Sequence, residues 1–126
     1  MWLIPCNPKY YDSVGAFNEF EVIEWNQTTN TTVGDTVFIY VGEKYRAIMF
    51  KCEVIAADLY GNRSDEDYKY YRSMEKQLDS RYMKLRLIRK YAEGDLPLQE
   101  LKANGLISVQ GRSKVTQKLL SYINKK

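Results

Sequence analysis

The hexapeptide Thr36–Val41 (TVFIYV) constrains the fold of this chain more than any other stretch. Every residue in it is β-branched or aromatic, and such side chains suit a pleated, packed surface better than a helix. The run lacks the polar alternation of a half-exposed strand, so it reads as a strand at the centre of a sheet. Val33-Gly34-Asp35 forms the turn that launches it, and Gly42 to Tyr45 forms the turn that ends it. Arg46 to Ala57 then returns with Ile48, Phe50, Cys52 and Val54 to one side and Met49, Lys51 and Glu53 to the other. The two segments predict an antiparallel hairpin.

The rest of the chain supplies neighbours for that hairpin. Trp2 to Pro5 is a short apolar strand broken by Asn7-Pro8. Tyr10 to Phe20 carries Tyr10, Val14 and Phe17 at roughly helical spacing, with Gly15 weakening the helix to one or two turns. Phe20 to Trp25 is an extended piece, and the polar run Asn26 to Thr32 is a loop. Over Asn62 to Asp79, Ser64 can cap a helix with Asp65, Glu66 and Asp67 in its first turn. Tyr71, Met74 and Leu78 would form its apolar stripe. Arg81 to Tyr91 alternates again, with Met83, Leu85 and Leu87 facing inward and Lys84 and Arg86 outward. Gly94 to Pro97 is a turn, Leu98 to Ala103 a short helix stopped by Asn104-Gly105, and Leu106 to Val109 a last strand. Ser113 can cap a final helix whose Val115, Leu119, Leu120 and Ile123 share one face.

With 126 residues, the chain reads as one domain, residues 1–126, with no repeat or internal linker. Its opening, MWLIPC, is too short for a signal-peptide apolar region, and no segment reads as membrane-spanning, so the expected location is cytoplasmic. Cys6 and Cys52 then read as reduced core thiols. The chain has no histidine, which removes the commonest general base and metal ligand and points to no metal, no cofactor and no catalysis. A net charge of +3 permits a nucleic-acid partner without requiring one.

What does suggest a ligand is the pairing of Asn7 with Trp25 and the amides and hydroxyls after it (Asn26, Gln27, Thr28, Thr29, Asn30). An aromatic face beside amide groups can stack a planar ring and read its edge. The same residues fit blander roles: Trp25 as a core anchor, Asn7 as a strand end, Asn30 as a turn residue.

The ordered motifs resemble the EVE domain of the PUA-like superfamily. WLIPCNP is similar to that family's opening strand and turn, and Trp25, Asn30 and VGD to its Trp…Asn…VGD segment. FIYVG stands at its aromatic strand, and YMKLRLIRKY, LPLQELK and LISVQG follow its late strand, helix and final strand. Gly111 stands where the family has proline, and the loop after Trp25 is shorter than usual and lacks its arginine.

The resemblance implies an α+β fold, a small twisted β-barrel or half-barrel (PUA-like) flanked by helices. It also implies a non-catalytic module that recognises a modified base flipped from DNA, with a restriction or defence system as its setting and a separate nuclease chain as partner. On that basis Trp25 and Tyr40 would wall the base pocket, and Asn7, Asn30 and Gln110 would read ring edges with Thr29 and Ser108 in support. Lys84, Arg86, Arg112 and Lys114 are the phosphate candidates, although solvated basic faces look the same in sequence. Three alternatives stay open. One is a modified-RNA reader, and another is a protein-interaction or inhibitory module using the tyrosine-rich helix. The third is a small enzyme drawing on Asp12, Glu24, Asp35, Lys51 or Glu53.

Overall fold

A computed structural model describes residues 1–61, 63, 64, 66, 68–72 and 80–126. Its centre is one mixed sheet of six strands: β1 (Trp2–Cys6), β2 (Val22–Asn26), β3 (Thr36–Val41), β4 (Ala47–Leu59), β5 (Tyr82–Lys90) and β6 (Ser113–Lys114). Their order across the sheet is β2-β5-β4-β3-β1-β6. The apolar hexapeptide is therefore an interior strand, hydrogen-bonded to β4 antiparallel and to β1 parallel. All of it except Thr36 is buried.

Strict alternation along β3 divides the core in two. Val37, Ile39 and Val41 face one cluster with Ile4, Cys6, Ile23, Met83 and Leu85, whereas Phe38 and Tyr40 face the other. The first cluster joins residues from β1 and from β2, which stand far apart in the strand order. The sheet must therefore curl around this core, as strand twist favours. The result is an open half-barrel, and α1 (Ser13–Glu19) packs Ala16 and Phe17 into its concave side. Asp12 caps α1, its Oδ1 accepting from the Gly15 amide at 3.0 Å. Gly15 weakens the helix for a packing reason: a Cβ there would lie 2.4 Å from Asp12 Oδ2 and 2.8 Å from the Tyr70 ring.

The outer face is covered by α2 (Leu98–Ala103) and α3 (Gln117–Ile123). They bury Leu101, Leu119 and Ile123 against Leu3, Phe38, Tyr40 and Ile48.

The structure departs from sequence expectation in four places. In β4, Ile39 pairs with Phe50 but Tyr40 with Ile48, so a bulge at Met49 breaks the simple alternation. Ile48 consequently joins the outer core, while Met49 and Phe50 both join the inner one. The segment Leu106–Val109 is not a strand; the sheet is extended instead by Ser113–Lys114, which pairs with Leu3 and Trp2. Thr116, not Ser113, caps the last helix, its Oγ1 accepting from the Leu119 amide at 3.2 Å.

The fourth departure is the tyrosine-rich helix. Met74 and Leu78 lie outside the described residues, but Tyr68–Tyr70 forms a single 3-10 turn and Tyr71 bridges to Tyr11. Ser64 shapes a local turn, accepting from the Glu66 amide at 3.1 Å. The ring contact and backbone bridge with Tyr11, remote in sequence, hold Tyr71 outside a helical stripe, which local spacing could not reveal.

Candidate functional site

Two strand ends and two crossing segments build a cleft at the mouth of the half-barrel. β1 ends in Pro5 and Cys6 and is followed by Asn7, β2 ends in Trp25 and Asn26, and Tyr10, Tyr11 and Tyr71 close the space between them. Its volume is about 290 Å³, near the lower end for small-ligand sites. The walls are aromatic and mutually braced. Tyr11 meets Trp25 edge-on, with centroids 5.7 Å apart at 89°, and Tyr71 at 4.6 Å and 54°. Trp25 is only partly buried against the inner core, so it serves both packing and the cleft. Tyr10, half exposed, stands on the rim.

The polar groups of the cleft are held by local bonds. Asn7 Oδ1 accepts from the Lys9 amide at 2.9 Å, the geometry of an Asx-turn that also explains why β1 stops there. Asn26 Oδ1 accepts from Arg63 Nη1, and Arg63 Nη2 donates to the Tyr71 hydroxyl at 3.4 Å. The same guanidinium lies 5.0 Å over the Tyr82 ring. The Cys6 thiol is pushed up in pKa by burial and donates to the Tyr11 carbonyl at 3.5 Å, so it lines the cleft as a protonated group.

A second, broader cleft of about 410 Å³ lies across the same Pro5-Cys6-Asn7 segment. Its far wall is Tyr40, Gly42, Glu43, Arg46, Val109 and Gln110. The sequence-derived base-pocket residues are thus divided. Asn7 and Trp25 meet in the first cleft, while Tyr40 and Gln110 meet Asn7 in the second. Tyr40 sits in the outer core on the opposite sheet face from Trp25, and burial raises its pKa.

Thr29 is buried within the loop after β2, its hydroxyl donating to Thr31 Oγ1 at 3.2 Å, and Asn30 is exposed outside both clefts. Ser108 is exposed and accepts from the Gln110 amide at 3.2 Å. Residues that sequence reasoning did not place in the base pocket are Tyr10, Tyr11, Asn26 and Tyr71 in the first cleft and Glu43 and Arg46 in the second. The abundance of tyrosine, 11 in all, was the available signal for the first group.

The four phosphate candidates separate into two pairs near opposite edges of the sheet. Arg86 pairs with Glu53 at 2.5 Å, and Lys84 lines a small depression with Glu24 and Glu66. Arg112 precedes β6 and Lys114 lies within it on the far side, where the Lys114 ammonium lies 5.3 Å over the Trp2 ring. The acid candidates hold structural positions as well. Asp12 caps α1 and Glu24 Oε1 accepts from the Ser64 amide at 2.8 Å. Asp35 Oδ2 accepts from the Thr32 amide at 2.9 Å.

With this geometry in view, residues 1–124 match the EVE domain family over almost the full chain. The chain belongs to the EVE domain family. Solved structures share its fold at low sequence identity. A Pseudomonas putida protein superposes with a TM-score of 0.66 at 16% identity, covering 98% of this chain and 97% of that one. Human THYN1, solved in complex with 5-methylcytosine-containing DNA, gives 0.64 at 14%, covering 98% and 95%. An ASCH protein of Zymomonas mobilis, as a tyrosine-to-phenylalanine variant, gives 0.64 at 11%, covering 98% and 96%. No curated protein matches the EVE chain in sequence. Among its described residues no helix is long and apolar enough to cross a membrane.

Proposed function

We propose that this EVE domain binds nucleic acid by taking one modified base, flipped from a DNA strand, into the Trp25 cleft. The observation that carries the reading is the joining of a braced aromatic wall (Tyr11, Trp25, Tyr71) to two anchored side-chain amides at the ends of β1 and β2. Asn7 and Asn26 each engage their carbonyl oxygen with a protein donor, which orients the amide and leaves the NH2 to donate. Two donors suit the acceptor edge of a cytosine, its O2 and N3, while the rings stack on the flipped base and contact a substituent at its 5-position. That human THYN1, of similar fold, was solved in complex with 5-methylcytosine-containing DNA supports a modified-base DNA as the ligand class.

Extruding a base costs a few kcal/mol, which stacking and edge bonds must offset. The module acts as a binder in the cytosol, and any strand cleavage belongs to a second chain, because the candidate acids are engaged in caps, turns and ion pairs.

The test is fluorescence-polarisation binding to duplexes carrying plain cytosine, 5-methylcytosine or other modified bases, and to matched RNA. Wild type is expected to prefer one modified duplex. Trp25→Ala, verified as folded by circular dichroism, is expected to lose that preference, since each stacked base contributes about 1–3 kcal/mol. Preference for a modified RNA over every DNA would move the reading to RNA. Equal binding to all duplexes would refute it.

A further inference from the structure

The second cleft shares the Pro5-Cys6-Asn7 wall with the first, so a strand that placed one base beside Trp25 would carry its neighbour across Asn7 into it. The lining there is chemically mixed. Arg46 offers a planar donor fork, Glu43 only accepts, and Gln110 does both.

The turn that presents these groups is unusual. Glu43 and Arg46 both have left-handed backbone, with φ of 53° and 45°. A turn needed only to reverse the chain would be better served by Gly or Asn at such positions, so the Glu and Arg side chains have a role apart from turn geometry. The turn is also fixed in place. The Tyr45 amide donates to the Gly42 carbonyl at 3.3 Å, the Leu98 amide donates to the Arg46 carbonyl at 2.8 Å, and Ala47 bridges to Pro97. Arg46 is exposed and lines the cleft together with Tyr40, which places it at the cleft mouth.

We propose that this second cleft is a subsite for the nucleotide next to the flipped base. Arg46 holds its phosphate, and Glu43 with Gln110 reads a base that carries an exocyclic amine. The proposal rests on the base-reading role of the first cleft. It accounts for the division of Tyr40 and Gln110 from Trp25, and it adds a phosphate contact that lies between the two basic edges of the sheet.

The experiment measures affinity for duplexes that vary the bases flanking the preferred modified base, at several salt concentrations, for wild type, Arg46→Asn and Glu43→Gln. Asn tolerates left-handed backbone, so Arg46→Asn keeps the turn. Arg46→Asn is expected to weaken binding by roughly tenfold, as for loss of a charge-assisted bond. It should also lower the slope of log K against log salt by about one, with the modified-to-plain ratio unchanged. Glu43→Gln is expected to erase a preference for adenine or cytosine over thymine as neighbour. An Arg46→Asn protein with wild-type affinity and salt slope would overturn the proposal. If wild type fails to discriminate modified from plain bases, the Trp25 reading falls, and the slope change still decides the phosphate contact independently.

Discussion

Gln27 offers the sharpest test of how the loop beside the cleft is built. Its side chain is buried and joins three segments. Oε1 accepts from the Asp58 amide at 2.7 Å, and Nε2 donates to the Thr29 carbonyl at 3.1 Å, to the Thr31 carbonyl at 3.4 Å and to Asp58 Oδ1 at 3.4 Å. Asp58 is itself left-handed, with φ of 55°, at a register break between β4 and β5. The amide therefore fixes a loop, a kinked strand and the continuation of β2 beyond Trp25 at once.

Gln27→Met keeps the shape and removes the polar atoms. Two short bonds at about 1 kcal/mol each, plus part of the penalty for an unsatisfied carbonyl, give an expected loss of about 2–3 kcal/mol. The Thr29 carbonyl keeps a second donor, Arg81 Nη2 at 2.8 Å, which limits the penalty. For a chain of this size that corresponds to a fall of roughly 10 °C in Tm by calorimetry or thermal circular dichroism. Gln110→Met, on the exposed loop, serves as the control and should leave Tm unchanged. A Gln27→Met protein within about 2 °C of wild type would refute the reasoning, because it would mean that water replaces the network at no loss.

Two further predictions concern the outer core. Leu101 is fully buried where α2 meets the sheet, so Leu101→Ala should lower unfolding free energy by about 2–5 kcal/mol in urea titration while leaving the cleft residues on the other face undisturbed. Burial also raises the phenols of Tyr40 and Tyr91 above their ordinary value of 10.0. A raised folded-state value means that the stabilisation is full below the unfolded value and is lost as pH rises from there through the folded value. Urea stability should thus fall above about pH 10, and the fall should be shallower in Tyr40→Phe; an identical pH profile for the two proteins would contradict this.

Much of the fold is legible in the sequence because it is local or periodic. The composition of Thr36–Val41 allows little but an interior strand, and the alternation of Met83, Leu85 and Leu87 gives the inner face of β5 directly. The breakdowns have physical causes. The bulge at Met49 depends on how β4 fits β3, so pattern alone assigned Ile48 to the wrong core. Residues 106–109 are apolar enough for a strand, but the edge next to β1 is taken by Ser113–Lys114.

The site divides along the same line. Sequence by itself determined that Asn7 and Trp25 end their strands, because the Asn-Pro turn and the polar loop after Trp25 are local signals. It also determined the EVE family through the order of its motifs. Only the tertiary structure decided that those two strand ends meet, that Tyr11 and Tyr71 brace Trp25, and that Tyr40 belongs to a separate cleft with Arg46. The physical reason is the curl of the sheet. Alternation fixes which face a side chain takes, but strands distant in the order come together only through twist and the burial of a shared core, and neither is written in any single segment.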